Sequence, residues 1–425
     1  MSTGKVTLRT ATIGWLITSA YYFYQYAMRS APAVMMPELS EAFGLSAMGT
    51  ASVVGLFFYS YSAFSLVAGV ALDRWGPHVV LPVGAVAVGI GALLFSDGDP
   101  NIAGVGRLIQ GAGGAFALVG AAYIVTKNFP ASRAATLIGA TQMFGMAGGF
   151  AGQFIVGPVI ASDVSWSSVW IFMGCCGIAL SVALLALLPR SQEVRRSRNW
   201  KSEAARALAT VFRNPQTILC GIIAGLLFVP TSIFGLIWGV SFLQEAHGLD
   251  YGSAVMRSST IPLGWIIGCP LLGYASDRIG RRKPVLAAGA SVLFVCIGWI
   301  LFGPPALLPP YVLGLVAGIA SGAAMLPYTI VREANPPAFS GTATGVVNFL
   351  NFTFSALLGS IFGALLTQAS AGASNRTLEH YQMTFGALLI GIGVAIVLVL
   401  FLRETGPASG YRLQAVPAHR GSGGS

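Results

Sequence analysis

The chain has 425 residues, 55% of them hydrophobic and only 9% charged, with a formal net charge of +10. Water-soluble domains carry about 25% charged residues, so an ordinary soluble enzyme is excluded. Apolar runs of roughly 20 residues follow one another almost end to end, which predicts a polytopic helical membrane protein whose positive charge gathers in loops rather than on a nucleic-acid surface. Lys5 and Arg9 lead directly into a span too long for a signal peptide, so no cleaved leader is expected. The five cysteines (Cys175, Cys176, Cys220, Cys269, Cys296) fall within apolar runs without metal-binding spacing. They read as packing residues, and neither metal nor cofactor is expected. Gly421–Ser425 reads as an appended linker.

In chain order, the apolar runs predict twelve spans: 11–36, 47–72, 79–96, 102–127, 135–160, 167–189, 217–242, 251–275, 284–303, 309–331, 341–367 and 381–402. The connection 190–216 is the most charged segment, with Arg190, Arg195, Arg196, Arg198, Lys201, Arg206 and Arg213 against Glu193 and Glu203. By the positive-inside rule it is cytoplasmic, and six spans on either side place both termini there too. The loops holding Arg74 and His78, Lys127 and Arg133, Arg278 to Lys283, and Arg332 agree. The predicted outer loops Ser96–Asn101 and Ser162–Ser165 hold acids and no base. The expected plan is a six-helix bundle over 1–190, a basic linker over 191–216, a second bundle over 217–404 and a tail over 405–425. Within the linker, Trp200 to Phe212 reads as an amphipathic helix on the inner face of the cell membrane.

Arg29 lies inside the first apolar run, where a bare guanidinium costs about 2.5–3.5 kcal/mol on insertion scales. Tyr22, Gln25 and Tyr26 precede it at i−7, i−4 and i−3, so all four share one helix face. That face is expected to look into a polar cavity that holds an anion. Arg29 comes out about 7 Å outward of the middle of its span, and Arg107 and Arg257 about 10 Å outward in spans 4 and 8. The 14 acids all lie at span ends or in loops, as do the four histidines, so no protein anion compensates these arginines in the core. Two explanations stand: snorkelling of long side chains to the headgroups, or a bound carboxylate or phosphate, which arginine's planar fork suits. Gln142 in span 5, Asn348 and Asn351 in span 11, and Tyr123 and Tyr328 in spans 4 and 10 are further candidates to face the cavity. Helix–helix hydrogen bonding is the competing role for each.

The two halves repeat. Gly69 to Gly76 (GVALDRWG) follows span 2, and Gly273 to Lys283 (GYASDRIGRRK) follows span 8, their aspartates 277 − 73 = 204 residues apart. Tyr123 with Tyr328 and Gly139 with Gly345 echo each other at nearly that offset, the parallel-repeat plan of many secondary transporters. An aspartate at a helix end can face the N-terminus of a helix in the other half, where the dipole favours negative charge. Asp73 with Arg74, and Asp277 with Arg278, are therefore candidate gate residues. This duplicated motif resembles that of the major facilitator superfamily over essentially the whole chain. The resemblance implies an all-α integral membrane fold of twelve helices in two pseudo-symmetric halves. It also implies a monomer, with no nucleic-acid partner. The first copy departs from the pattern, ending Pro77-His78 without the closing bases, which implies a weaker first gate.

Gly106-Arg107 with Gln110, Gly111, Gly113 and Gly114 resembles the superfamily's span-4 motif, whose glycines permit close approach to span 1. Gly145, Gly148, Gly149, Gly152 and Gly157-Pro158 form a glycine track in span 5. A tyrosine pair, then Arg29, then Met36-Pro37 is similar to span 1 of the organophosphate:phosphate antiporters and of the organic anion:cation symporters. In both groups the matching arginine binds the substrate anion. The Arg107 motif, Trp166 to Trp170, and Asp73-Arg74 with Pro77 and Leu81-Pro82 share this likeness. Span 7, however, lacks the second basic residue of the organophosphate antiporters. Met28 and Gly114 stand where the proton-coupled symporters carry acids. A span-8 arginine such as Arg257 is similar to that of oxalate:formate exchangers, whose span-11 lysine has no match in Asn348 or Asn351.

The sequence thus leads to a secondary transporter of a small organic anion, a carboxylate in character. Arg29 grips the charge, with Arg107 and Arg257 assisting, and coupling runs through exchange, a coupling ion or the substrate's own proton. An amino-acid carrier of the same fold, or a transporter-like ligand sensor, is the alternative. No nucleophile–base constellation, HExxH or Walker loop appears, so no enzyme is expected.

Overall fold

The computed structural model describes residues 7–162, 164–189, 200–303, 310–370 and 376–410. Asp163, the linker charges Arg190, Glu193, Arg195, Arg196 and Arg198, and Gly421–Ser425 lie outside the described residues. The expected first span is two helices and not one. Helix α1 (Leu8–Ser30) gives way to a 3-10 turn (Ala31–Val34) and then to short α2 (Met36–Phe43). Pro32 and Pro37 each sit in the first turn of their own segment, where their missing N–H costs nothing. Arg29 therefore occupies the last turn of α1, about 15 Å from that helix's own midpoint rather than about 7 Å.

Span 2 is α3 (Ala47–Trp75), span 3 is α4 (Pro77–Phe95) and span 4 is α5 (Pro100–Asn128). Span 5 is α6 (Ala134–Phe154) with α7 (Val156–Ala161), and span 6 is α8 (Trp166–Leu187). After the largely exposed linker helix α9 (Trp200–Arg213), span 7 comprises α10 (Pro215–Val229), a π-helical stretch (Pro230–Trp238) and α11 (Gly239–His247). Spans 8 and 9 are α12 (Tyr251–Ile279) and α13 (Lys283–Phe302). Span 10 is α14 (Pro310–Ser321), a 3-10 turn (Gly322–Met325) and α15 (Leu326–Glu333). Span 11 is α16 (Ser340–Ala369), and span 12 is α17 (Leu378–Phe385) with α18 (Ala387–Phe401). Among the described residues, 11 helical stretches are long and apolar enough to cross a membrane. The twelfth, α1, is long enough at 23 residues, but Thr18, Ser19, Tyr21, Tyr22, Gln25 and Tyr26 are among its buried residues. That polarity marks it as cavity-lining.

Local chemistry starts and stops these helices. Asp99 caps α5, accepting from the N–H groups of Asn101 and Ile102 at 2.8 and 3.0 Å, with Pro100 in the first turn. Gly76, at φ 73°, lets the chain reverse between α3 and α4 where a side chain would be strained. Asp250 caps α12 through the N–H of Ser253. Hydrogen bonding to the charged form holds its carboxyl below the usual aspartate range.

Glycines set the packing. Gly111 abuts the backbone of Phe57 in span 2, Gly113 that of Gly84 in span 3, and Gly114 the side chain of Gln25 in span 1. The span-4 glycines thus admit three neighbours, not span 1 alone. On the other side of α1, Gly145, Gly148 and Gly152 take the ring of Tyr22 and the backbone at Phe23 and Ala27.

The two halves cross at two places of the same construction. A Cβ added at Gly69 or Gly345 would strike the backbone of Gly341 or Ser65, so α3 and α16 touch through small residues. Likewise Gly139 lies against Cys269 and Gly273 against Ala135, where α6 meets α12. Both crossings lie toward the end of the molecule that carries the duplicated aspartate motif, here termed the motif side.

Candidate functional site

At the centre, between the halves, Arg29 stands in a cage of three rings. Its guanidinium carbon is 4.3 Å from the ring centre of Tyr26, 5.2 Å from Phe58 and 5.3 Å from Phe352, the last contributed by the second half. Cation–π contacts are worth about 0.5–2 kcal/mol each, enough to hold the charge in place. They leave its hydrogen-bonding demand open: Nη1 is buried and has no partner. Among the described residues the ion pairs are Arg282–Asp277, Arg282–Glu333 and Arg376–Glu245, all remote from Arg29.

Two polar triads flank this cation, one from each half. In the first, Tyr22 donates to Gln142 Oε1 at 2.9 Å and Gln142 Nε2 reaches Tyr26 Oη at 3.4 Å. In the second, Tyr328 donates to Asn348 Oδ1 at 3.0 Å and Asn351 Nδ2 to Tyr328 Oη at 3.2 Å, while Asn348 Nδ2 crosses to Ser65 Oγ at 2.8 Å. Asn351 Oδ1 is buried without a partner. Tyr61 links the two: it stacks on Phe57 (5.6 Å), meets Phe352 edge-on (4.7 Å), and lies within electrostatic reach of Tyr22, Tyr26 and Asn348.

Seven of the sequence candidates therefore come together here: Tyr22, Tyr26, Arg29, Gln142, Tyr328, Asn348 and Asn351. Gln25 is fully buried beside them, with neither amide atom hydrogen-bonded. Arg107 sits behind the site rather than in it. It is fully buried between Phe57 (5.0 Å) and Phe95 (5.6 Å), and it donates to Gln110 Oε1 at 2.7 Å, Val54 O at 3.1 Å and Met28 O at 3.4 Å. Its bonds tie span 4 to span 2 and to the carbonyl just before Arg29. Arg257 lines a separate cavity in the second half, and Tyr123 a cavity on the motif side beside Lys127 (5.7 Å).

Sequence reasoning missed Tyr61, Phe58, Phe352 and Ser65. A signal existed for Tyr61: the aromatic Trp265 stands 204 residues later, at the motif offset, and donates to Thr231 Oγ1 at 2.9 Å.

On the motif side both aspartates cap helices of the opposite half. Asp73 accepts from the N–H groups of Gly341 (2.9 Å) and Thr342 (2.7 Å) and from Thr342 Oγ1 (2.7 Å). Asp277 accepts from Ala135 N (3.3 Å), Thr136 N (2.8 Å) and Thr136 Oγ1 (2.7 Å). Arg74 lies over Trp75 and Trp200 at about 5.5 Å and 5.4 Å. Arg278 is exposed and turns to Tyr274. The cation that serves the second aspartate is Arg282, at 2.6 Å, which also grips Glu333 and Ala131 O. Burial lowers the affinity of Arg282 for its proton, but the Glu333 and Asp277 carboxylates outweigh it and hold the pKa above the ordinary value.

Comparison with known proteins agrees with this architecture. The chain is 25% identical over 299 residues to a probable sulfoacetate transporter of Cupriavidus necator, covering 67% of this chain and 69% of that protein. It is 26% identical over 285 residues to a hexuronate transporter of Bacillus subtilis, covering 64% and 66%; the match thus spans about two thirds of these relatives' length. A solved fucose:proton symporter from E. coli superimposes with a TM-score of 0.72 at 14% identity, over 92% of this chain and 99% of that one, which shows the fold. The sulfoacetate and hexuronate relatives are transporters by name, while a membrane sensor protein of Escherichia coli is 21% identical over 92% of this chain and 91% of that protein; the Major Facilitator Superfamily model matches residues 18–359. The chain belongs to the Major Facilitator Superfamily.

Proposed function

We propose that this protein is a secondary transporter that moves a small organic anion, a carboxylate, across the cytoplasmic membrane by alternating access. The observation that carries this reading is Arg29: a caged guanidinium at the junction of the halves, with a buried unpartnered Nη1 and no carboxylate among the described residues paired to it. A substrate carboxylate supplies both the missing charge and the missing acceptor. The two amide–tyrosine triads then orient its polar substituents. Sulfoacetate and hexuronate, named for two relatives, are acids of this class.

By the positive-inside rule the basic loops favour a cytoplasmic motif side, with both termini on that face. With Asp73 and Asp277 both engaged, the inner gate is shut and the site faces outward. Rocking of the first bundle (1–190) against the second (217–404) then exposes it inward, in a protein that works as a monomer. No acid lines the centre among the described residues, so coupling by exchange, or by the substrate's own charge and proton, fits better than a carrier carboxylate. Uptake of labelled anions into proteoliposomes tests the proposal. Arg29→Gln is expected to abolish uptake of any anion the wild type carries, whereas undiminished flux in that variant would sink the assignment. Ligand binding without flux in the wild type would identify a sensor instead.

A further inference from the structure

Apart from the central site, a cavity of about 110 Å³ lies wholly within the second half, among spans 7 to 10. Its body is apolar, walled by Phe234, Phe242, Ile261, Trp299 and Leu313. Arg257 and His247 supply a polar edge. Arg257 Nε is buried with no hydrogen-bond partner, and the guanidinium rests 5.7 Å from the ring centre of Tyr311. One wall belongs to the π-helical stretch Pro230–Trp238, a geometry that concentrates at functional sites. Ser258, next to Arg257, ties that stretch to span 8 by donating to Gly235 O at 2.7 Å.

We propose that this cavity is a second anion site, which takes a small monocarboxylate with an apolar body the size of one ring or a short alkyl chain. Size limits the body: an apolar cavity of about 150 Å³ holds benzene, so a volume near 110 Å³ admits at most a single ring, with the carboxylate at the polar edge. Polarity limits it too, because a polyhydroxylated acid would leave its hydroxyls unpaired among phenylalanine and leucine. Charge fixes the other end. A neutral ring leaves Arg257 Nε unsatisfied, and a carboxylate satisfies it with a charge-assisted bond. The occupant therefore differs in character from the ligand of the Arg29 site, and it bears on the π stretch of span 7 rather than on the central triads.

Benzoate, with benzyl alcohol as its neutral counterpart, tests this on the purified full-length protein by thermal melting and tryptophan fluorescence. Benzoate is expected to raise the melting temperature and to quench a signal that Trp299→Phe removes, with benzyl alcohol at least tenfold weaker. Arg257→Gln should weaken benzoate at least tenfold, while Arg29→Gln leaves it within twofold, which separates this site from the central one. Leu313→Trp, which fills the cavity, should abolish binding and decides the matter if Arg257→Gln fails to fold. Decanoate, too long for the space, should bind no tighter than benzoate; tighter binding would mean a lipid-facing surface and overturn the proposal. It is equally overturned by no benzoate binding at millimolar concentration, by binding that survives Leu313→Trp, or by binding that Arg29→Gln removes.

Discussion

The two gate motifs perform the same act with unequal support. Asp73 and Asp277 each bind two backbone N–H groups and a threonine hydroxyl at the start of a helix in the opposite half, with nearly matching distances. Beyond that, among the described residues, the second gate carries ion pairs and the first does not. Arg282 joins Asp277 to Glu333 and to Ala131 O across the interface. Glu404, just past span 12, accepts from the N–H groups of Arg282 and Lys283 at 2.6 and 3.1 Å, and Thr405 donates to Glu333 at 2.6 Å. The first motif ends in Pro77-His78, so it carries no counterpart of Arg282; the buried Arg332 of the second half lies within electrostatic reach of Asp73 but forms no ion pair with it, and Lys127 Nζ donates to Pro337 O at 3.2 Å. Each pair of contacts caps a helix of the opposite half, and among the described residues the ion-pair network is added at the second crossing.

The largest break in that comparison is Arg282→Gln. It strips the counter-charge from a buried Asp277 and a partly buried Glu333, and breaking a buried pair from one side costs about 3–5 kcal/mol. Thermal melts should show a clear loss of stability, and unchanged melting would show that the network contributes nothing net. Next come the aspartates themselves. Asp73→Asn removes a carboxylate from a helix N-terminus, a contribution of up to about 2 kcal/mol, so opening of the inner gate should rise between roughly five- and thirtyfold. Cys269, buried at the second crossing, is a native reporter once the other four cysteines are replaced, and Ser65→Cys supplies its counterpart at the first. Asp73→Asn should speed maleimide labelling of the Ser65→Cys thiol more than of Cys269, and Asp277→Asn the reverse. Equal acceleration at both sites would mean that the halves open as rigid bodies and that the two gates are not separable.

Much of this is legible in the sequence because it is periodic. The gate aspartates follow from position at a helix end together with a repeat offset, and Tyr22, Tyr26 and Arg29 from helical spacing on one face. Gln142 and Asn348, 206 residues apart, lie close to that offset. Azimuth is what periodicity leaves out. Counted along the apolar runs, Arg107 and Arg257 come out at depths near that of Arg29, yet depth says nothing of which way a side chain turns, and the two face Met28 O and a separate cavity. Tyr123 and Tyr328 occupy repeat-related positions but only Tyr328 is central. The 3-10 turn Gly322–Met325 winds at about 120° per residue instead of about 100°, rotating the residues beyond it by roughly 80°, and span 4 has no such turn. Arg282, Glu333 and Glu404 are illegible as a group because three chain segments far apart in sequence meet there.

The smallest effects discriminate best between the gates, because they leave both aspartate caps intact. Glu404→Gln keeps the shape of the side chain but removes its charge and one of the two oxygens that accept from Arg282 N and Lys283 N, so about 1 kcal/mol is at stake. Labelling of Cys269 should quicken about fivefold, with the Ser65→Cys thiol unchanged. Lys127→Met is the matching change at the first gate. Its ammonium is exposed and bonds one carbonyl, and interactions of that kind contribute well under about 1 kcal/mol. Labelling of the Ser65→Cys thiol should therefore move by less than about twofold. If Lys127→Met instead matches Glu404→Gln, the first gate has support equal to the second, and the asymmetry drawn from the missing closing bases is wrong.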